Sequence, residues 1–313
     1  MVNCIVGITA YNEEKNITNA IKTLQREHKV PLVNIEKILV VSSGSTDRTN
    51  EKVLELMKTD PRIELIKEET REGKSSALNK ILPIANGGDR ILVLMSADVE
   101  PCEGCFQHLL EPFKDERVGA VSCHPVPVNH LWSISELIGR MVWRLHHLVL
   151  LYERKLGSIS QLSGELLAFR PGIVKKIPPH VINDDAFIAH EIIKAGYRLE
   201  YAEKAEVKIR TPSTIRELFN QRRRIATGHY QIEKLFSRRS STFKIGNSLS
   251  SYFKSIIDGN GKSLKEEYLL TLGMVFGSVV EGLARILGKV DFNQKRLPIK
   301  WSMANSTKDL KKK

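Results

Sequence analysis

Asp98 closes the run Arg90-Ile-Leu-Val-Leu-Met-Ser-Ala-Asp98-Val-Glu-Pro101, in which an apolar strand delivers one carboxylate before a proline stops it. In α/β proteins such a position lies at the carboxyl edge of a sheet, where an acid can meet a metal or a phosphate over a cleft. The chemistry this suggests is a nucleoside-diphosphate site. Alone, the stretch reads more simply as a buried strand followed by a solvated turn acid. Three more segments change that balance: Ile5-Val-Gly-Ile-Thr-Ala-Tyr-Asn-Glu-Glu14, Ile38-Leu-Val-Val-Ser-Ser-Gly-Ser-Thr-Asp47 and Glu72-Gly-Lys-Ser-Ser-Ala-Leu-Asn79. Each leaves an apolar run or a glycine turn and enters a helix-favouring segment, so four successive edges carry polar groups on one side of one sheet.

Farther along, Val181-Ile-Asn-Asp-Asp-Ala-Phe-Ile-Ala-His-Glu-Ile-Ile-Lys-Ala-Gly-Tyr197 reads as a helix. Asn183 or Asp184 can cap it, and Gly196 ends it. Capping accounts for one aspartate and leaves Asp185 in the first turn, where it can act as a general base. Pro212 to His229 reads as another helix, started by Ser213 or Thr214. Gln221 and Arg224 lie one turn apart on it, and Gly228 continues their face with room for a ligand or a backbone to approach. The run Arg222-Arg-Arg224 by itself is most simply a solvated or phosphate-contacting face.

The elements needed to position these groups alternate through the first half. Strands are expected at Cys4 to Thr9, Lys37 to Val41, Ile63 to Lys67, Ile91 to Met95 and Val118 to Ser122. Helices are expected near Glu14 to Arg26, Thr49 to Lys58, Ser75 to Ala85 and Phe106 to Phe113. That alternation predicts an α/β fold, a mostly parallel sheet with helices on both faces. Gln161 to Arg170 adds a strand entered through a glycine. From His130 to Leu156, Leu131, Trp132, Ile134, Leu137, Ile138, Met141 and their successors recur at helical spacing with interleaved cations. This predicts an amphipathic helix that either packs on the domain with a solvated basic face or rests on a membrane surface.

Composition sets the bounds. A chain of 313 residues, 42% hydrophobic and 27% charged, can bury one large core or two modest ones. Lysine and arginine number 48 against 36 acids, a formal charge of +12, which favours anionic partners such as nucleotides, lipid headgroups or nucleic acid. Four cysteines with no signal peptide ahead of the first strand point to thiols in a reducing compartment. Cys102 and Cys105 have the spacing of half a zinc site, with His108, Cys123 and His124 nearby, but the second knuckle is missing. Turn residues that happen to be cysteine are the better reading.

Taken in order, Tyr11-Asn-Glu-Glu, Gly44-Ser-Thr-Asp, Gly73-Lys with Ala77-Leu-Asn, Ala97-Asp98, Gly164 with Ala168-Phe-Arg, Asp184-Asp185 and Gln221-Arg-Arg-Arg224 resemble the family 2 inverting glycosyltransferases. The closest likeness is to the branch with a processive-type glutamine and arginine motif. The resemblance covers about residues 1 to 235. It implies a GT-A fold, a nucleotide-sugar donor (UDP- or GDP-sugar) and Mg²⁺ or Mn²⁺. Carried over by position, it implies nucleotide contacts at Ala10, Tyr11, Glu13 and Lys74, with Ser43 where the family has a base-holding aspartate. It makes Asp98 the metal-linked carboxylate, with Ser96 in place of the first acid of the pair. Asp185 becomes the base, within Asn183-Asp-Asp185 rather than the usual threonine, glutamate, aspartate. Gln221 and Arg224 would contact the diphosphate or the acceptor, and Ile225 replaces a tryptophan. A lipid phosphate needs no base, so a candidate base favours the hydroxyl of a glycan or a lipid-linked sugar as acceptor.

Residues 1–240 thus form the expected catalytic domain, with the 130–156 helix inserted, and residues 241–313 a C-terminal helical segment with a basic tail at Lys308 and Lys311 to Lys313. Tyr268 to Leu287 is about as long as a membrane span, but Glu281 and Arg285 interrupt it and can pair at i, i+4. An interfacial or core-packing helix is the preferred reading, with the protein peripheral at the cytoplasmic face of the membrane. A sugar-phosphate nucleotidyltransferase would carry a glycine-rich phosphate loop near the first strand, and residues 7 to 15 hold none. A nucleic-acid-binding role has only the charge in its favour, since aromatics make up 6% of the chain and no binding motif is present.

Overall fold

The computed structural model describes residues 1–129, 133–237, 264–300 and 304–309. In chain order the elements are β1 (Val2–Ala10), α1 (Ile17–Glu27), β2 (Val33–Ser43), α2 (Thr49–Met57), β3 (Ile63–Glu68), α3 (Lys74–Ala85), β4 (Ile91–Ser96), β5 (Glu100–Pro101), α4 (Cys105–Leu110), β6 (Val118–Pro127), α5 (Ile134–Lys155), β7 (Leu166–Phe169), α6 (Asp184–Lys194), β8 (Arg198–Ile209), α7 (Ile215–Phe236) and α8 (Leu264–Asn293). The strands form one sheet in the order β3-β2-β1-β4-β7-β6-β8-β5. β1 pairs in parallel with β2 and β4, β2 with β3, and β6 with β8. β7 runs antiparallel to both β4 and β6, and the short β5 antiparallel to β8.

Successive residues of a strand point to opposite faces, and both faces of this sheet are covered. Cys4, Val6 and Ile8 of β1 join a core with Ile17, Ile21 and Leu24 of α1, Val53 of α2 and Phe106 of α4. Ile5, Leu39 and Leu92 join a second core with Leu78, Ile81 and Leu82 of α3 and Ile188 and Ile192 of α6. Covered on both sides, the central strands read as continuous apolar runs. The expected alternation holds, with shifts at the ends. α1 starts at Ile17, after a turn rather than at Glu14, and α4 gives way to a 3₁₀ turn at Glu111–Lys114. β8 was outside the expected strands, although Arg198-Leu-Glu-Tyr-Ala-Glu-Lys-Ala-Glu-Val-Lys-Ile209 alternates in burial over most of its length. Cys105, expected in a turn, instead opens α4 and is buried in the first core, which also holds Cys123.

α5 begins with a capping box: the Ser133 hydroxyl accepts from the Glu136 amide, and the Glu136 side chain accepts from the Ser133 amide, an arrangement that satisfies two free amides at once. Leu131 and Trp132 of the expected helix lie outside the described residues. Arg140 and His147 turn back onto the protein, while Arg154 stays exposed. Arg140 donates to the Asn129 carbonyl at 2.9 Å, His147 hydrogen-bonds the Tyr201 hydroxyl at 2.6 Å, and Arg154 pairs with Glu203 at 3.4 Å.

α8 lies along α7 and α5, with Gly273 and Gly277 set against Leu137, Ile138 and Met141 and Gly288 against Ala226. Glycine at these points lets the helices approach closely. The interrupting charges are paired: Glu281 bonds Arg285 at 3.2 Å, as the spacing predicts, and also Arg222 at 2.8 Å. Thr271–Asn293 is long and apolar enough to cross a membrane by length and composition. Its outer stripe, with Val279 and Ile286 61% and 62% exposed, also holds Val275, Phe276 and Leu283. Tyr268 side-chain packing and residues Lys311 to Lys313 lie outside the description.

Candidate active site

The carboxyl edge of the sheet is built by splicing two loops. After the buried Ala10 the chain turns through Asn12, whose φ of 53° is left-handed, a conformation asparagine tolerates. The Asn12 side chain accepts from the Thr46 amide at 2.8 Å and its own amide donates to Ser45 Oγ at 3.1 Å. The Glu13 amide donates to Thr49 Oγ1 at 2.8 Å and the Glu14 amide to Asp47 Oδ2 at 3.0 Å. Gly44 (φ 64°) makes the turn possible, because a Cβ there would lie 2.6 Å from the Arg71 backbone nitrogen. Much of the Tyr11-Asn-Glu-Glu and Gly44-Ser-Thr-Asp pattern thus holds the edge in shape, leaving Tyr11, with Arg71 4.2 Å above its ring, and Glu13 facing the cavity. Ser43 also faces it, and its buried Oγ has no hydrogen-bond partner in the structure. An unmatched buried hydroxyl costs about 1–3 kcal/mol, which a ligand would relieve.

Four elements meet at the centre. Lys74 opens α3; its Nζ lies 3.0 Å from Asp184 Oδ2 and donates to the Gly164 carbonyl at 3.3 Å. Ser96, at the end of β4, donates to the same carbonyl at 3.3 Å. A Cβ on Gly164 would lie 3.3 Å from Asp185 Oδ2, so the carboxylate sits against the bare backbone before β7. Burial and the neighbouring Asp184 push the Asp185 carboxyl up to about 6, against the pull of Lys74 and Arg224. Burial and repulsion from Asp98 push Glu13 up to about 7. Burial raises Asp98 too, opposed by Lys308 and Lys74.

Glu165 is a site residue the sequence reading passed over. Burial pushes it up to about 7, Lys74 opposes this, and the charges of Asp185 and Asp98 add to it. Its charge is therefore felt by both predicted acids. The only signal for it was an acid in the Ser163-Gly-Glu165 turn ahead of an apolar strand, a pattern shared with ordinary solvated turns.

α7 is locked onto α6 by Asn183, one of the two residues expected to cap α6. Asn183 makes no capping bond; its Nδ2 donates to the Ile225 carbonyl at 3.1 Å. A Cβ on Gly228 would come 2.3 Å from Asn183 Oδ1, so the open face at Gly228 receives Asn183 rather than a ligand. Gln231 Oε1 reinforces the lock by accepting from the Ile182 amide at 3.1 Å. The three arginines divide. Consecutive helix residues point about 100° apart, and Arg222 and Arg223 turn to Glu281 and Asp291 of α8, at 2.8 and 2.6 Å. Arg224 turns inward, where Asp184, Asp185 and Glu165 offset the cost of burying its charge.

All nine residues picked out by sequence, Ala10, Tyr11, Glu13, Ser43, Lys74, Asp98, Asp185, Gln221 and Arg224, line one cavity of about 1210 Å³. Among the described residues no cluster of three or more His, Cys, Asp or Glu side chains could hold a metal by itself. The oxygen donors present nonetheless suit Mg²⁺ or Mn²⁺, which are commonly held by one or two carboxylates together with substrate phosphates.

The model of glycosyl transferase family 2 matches residues 5–177, more than half of the chain. The chain belongs to glycosyl transferase family 2. Its mostly parallel sheet with helices on both faces is the GT-A fold. Similar proteins include the poly-beta-1,6-N-acetyl-D-glucosamine synthase of Staphylococcus aureus, 24% identical over 247 residues, covering 74% of this chain and 56% of the relative. The beta-monoglucosyldiacylglycerol synthase of Nostoc is 24% identical over 240 residues, covering 72% and 48%. The chain spans about half the length of these relatives. Among solved structures, a mannosyltransferase from Pyrobaculum calidifontis in complex with GDP-Man and Mn²⁺ superposes with a TM-score of 0.67 at 23% identity, covering 94% of this chain and 87% of that one.

Proposed function

We propose that this glycosyltransferase moves a sugar from a UDP- or GDP-sugar to a hydroxyl of a glycan or lipid-linked acceptor in one inverting step, with Asp185 as the base. Residues 1–240 carry the reaction and 241–313 form the C-terminal appendage. The observation that carries this reading is the convergence of Asp98, Glu165, Asp185, Lys74 and Arg224 on one cavity, close enough for their charges to act on one another. Asp98 would hold the divalent cation, which neutralises charge developing on the leaving diphosphate. Lys74 at the start of α3, with Gln221 and Arg224 on α7, would orient that diphosphate. Tyr11, Ala10 and the unmatched Ser43 hydroxyl line the position for the nucleoside.

Asp185 suits the role of base because its environment lifts it toward neutrality while Lys74 and Arg224 keep it ionisable. A carboxyl tuned near the working pH both holds the proton it removes and is largely free to remove it. Direct attack by the deprotonated hydroxyl on the anomeric carbon, with the C–O bond to the diphosphate breaking, inverts that centre. The outward apolar stripe of α8, together with exposed Lys289, Lys295, Arg296 and Lys300 near its end, fits an interfacial helix at an anionic membrane surface.

The test is a thermal-shift and transfer assay with GDP- and UDP-sugars, with and without Mn²⁺. Stabilisation by a nucleotide-sugar that needs Mn²⁺, lost in Asp98→Ala, supports the reading. Equal stabilisation with chelator present, or full turnover in Asp185→Asn, overturns it.

A further inference from the structure

The C-terminal segment at 304–309 reaches back across the molecule to the edge of the donor site. Lys308 Nζ donates to the Tyr11 carbonyl at 2.7 Å and to Glu13 Oε1. Its charge also acts on Asp98, and Asp98 and Glu13 repel each other. The ammonium therefore sits on one backbone carbonyl and one carboxylate, with the charge of Asp98 acting on it, hard oxygens of the kind a divalent cation takes. The side chain is 15% exposed and its partner Glu13 4%, so this is no loose surface pair.

The backbone around Lys308 is tethered by bonds that water could replace. Asn16 Nδ2 donates to the Lys308 carbonyl at 2.9 Å, the Ser213 amide donates to Ser306 Oγ at 3.0 Å, and Ser306 Oγ donates to Glu217. Lys15 and Asp309 are 3.8 Å apart with Lys15 well exposed, a pairing of little energetic weight. Thr307 is buried, whereas Ala304, Ser306, Lys308 and Asp309 are half-buried. Polar ties of this kind hold a segment in place without the apolar burial that would make it permanent.

We propose that the Tyr11 carbonyl and Glu13, beside Asp98, form a single cation site, its first two groups held by the Lys308 ammonium in the free enzyme and taken over by the divalent cation that enters with the donor, so that residues 304–309 are a displaceable strap. A divalent cation and an ammonium repel each other strongly at so short a range, so metal binding and the docked strap compete. Protein with the strap docked is then not competent for metal, and the apparent metal affinity is reduced by the docked fraction. This rests on the reading of Asp98 as the metal-linked carboxylate, and adds Glu13 and Tyr11 to it.

The experiment measures Mn²⁺ binding to the full chain in the presence of GDP or UDP, by the proton relaxation of water, together with hydrogen exchange at residues 304–309. Lys308→Met is expected to bind Mn²⁺ about tenfold more tightly than wild type, a ratio that reports the docked fraction. In wild type, Mn²⁺ with nucleotide is expected to remove exchange protection from 304–309, whereas nucleotide with chelator does not. Unchanged or weaker Mn²⁺ binding in Lys308→Met, or a strap that stays protected when wild type is saturated with Mn²⁺ and nucleotide, overturns the proposal and leaves the metal reading standing. Full Mn²⁺ affinity in Asp98→Asn sinks the metal reading itself. Should Lys308→Met fold poorly, the exchange measurement on wild type decides alone.

Discussion

At the scale of single residues, the site is a set of acids kept from full ionisation by burial and by one another, with three cations, Lys74, Arg224 and Lys308, opposing that shift. Asp185 is the sharpest case. Asp185→Asn keeps the shape and removes the base, so kcat is expected to fall by about 10²–10⁴ while the nucleotide-sugar Kd changes less than threefold; a single-turnover assay beside a binding titration checks both. The pH profile follows from the same environment. Asp185 must be ionised to accept a proton and its pKa lies near 6, so kcat/KM is expected to rise between pH 5 and 7 and then level. A flat profile across that window would assign the proton transfer elsewhere, and Glu165→Gln would then be the variant to assay.

At the scale of elements, α7 mediates between the chemistry and the C-terminal helix. Its Arg224 reaches the acids, its Gly228 receives Asn183, and its Arg222 and Arg223 grip α8. Gly228→Ala forces a methyl group against Asn183 and is expected to cost about 1–3 kcal/mol, with activity falling further than stability because Asp184 and Asp185 follow Asn183 directly. Chemical denaturation and turnover, measured on the same preparation, separate the two effects. Glu281→Ala leaves Arg222 and Arg285 without their shared acid and is expected to cost about 1.5–3 kcal/mol, read by the same denaturation series, with kcat nearly intact.

At the scale of the whole molecule, charge and apolar surface are distributed unevenly. Glu13, Glu165 and Asp185 all sit above their ordinary range, at about 7, 7 and 6. Each is protonated in the fold at a pH where the unfolded chain has already released its proton, so the folded state loses stability as pH rises from about 4 to 7. A divalent cation has the opposite preference, since it needs ionised oxygens. The gain in Tm from Mn²⁺ with nucleotide is therefore expected to be larger at pH 8 than at pH 5.5, which a thermal-shift series reads directly. On the outer surface, Val279→Asp with Ile286→Asp places charge on the exposed stripe of α8. Co-sedimentation with vesicles of anionic phospholipid is expected to drop at least tenfold with Tm unchanged, and wild-type binding to weaken as salt rises. Equal sedimentation of the double variant would remove α8 as the membrane contact.

Apart from β8 and the short β5, the order of strands and helices was legible in the sequence because the hydrophobic period is a local property, written into each segment by which face it buries. The glycine turns and edge acids were legible for the same reason, and they singled out Asp98, Lys74, Asp185 and Arg224, which line one cavity. Glu165, the Asn183–Gly228 contact, the division of three adjacent arginines and the return of Lys308 to Tyr11 and Glu13 were not. Each depends on a partner tens to hundreds of residues away, and no local spacing encodes which distant group will neutralise a charge. The chain by itself determined what chemistry its residues could do; packing decided which of them share a cavity, because only burial beside particular neighbours changes what a carboxylate or an ammonium will hold.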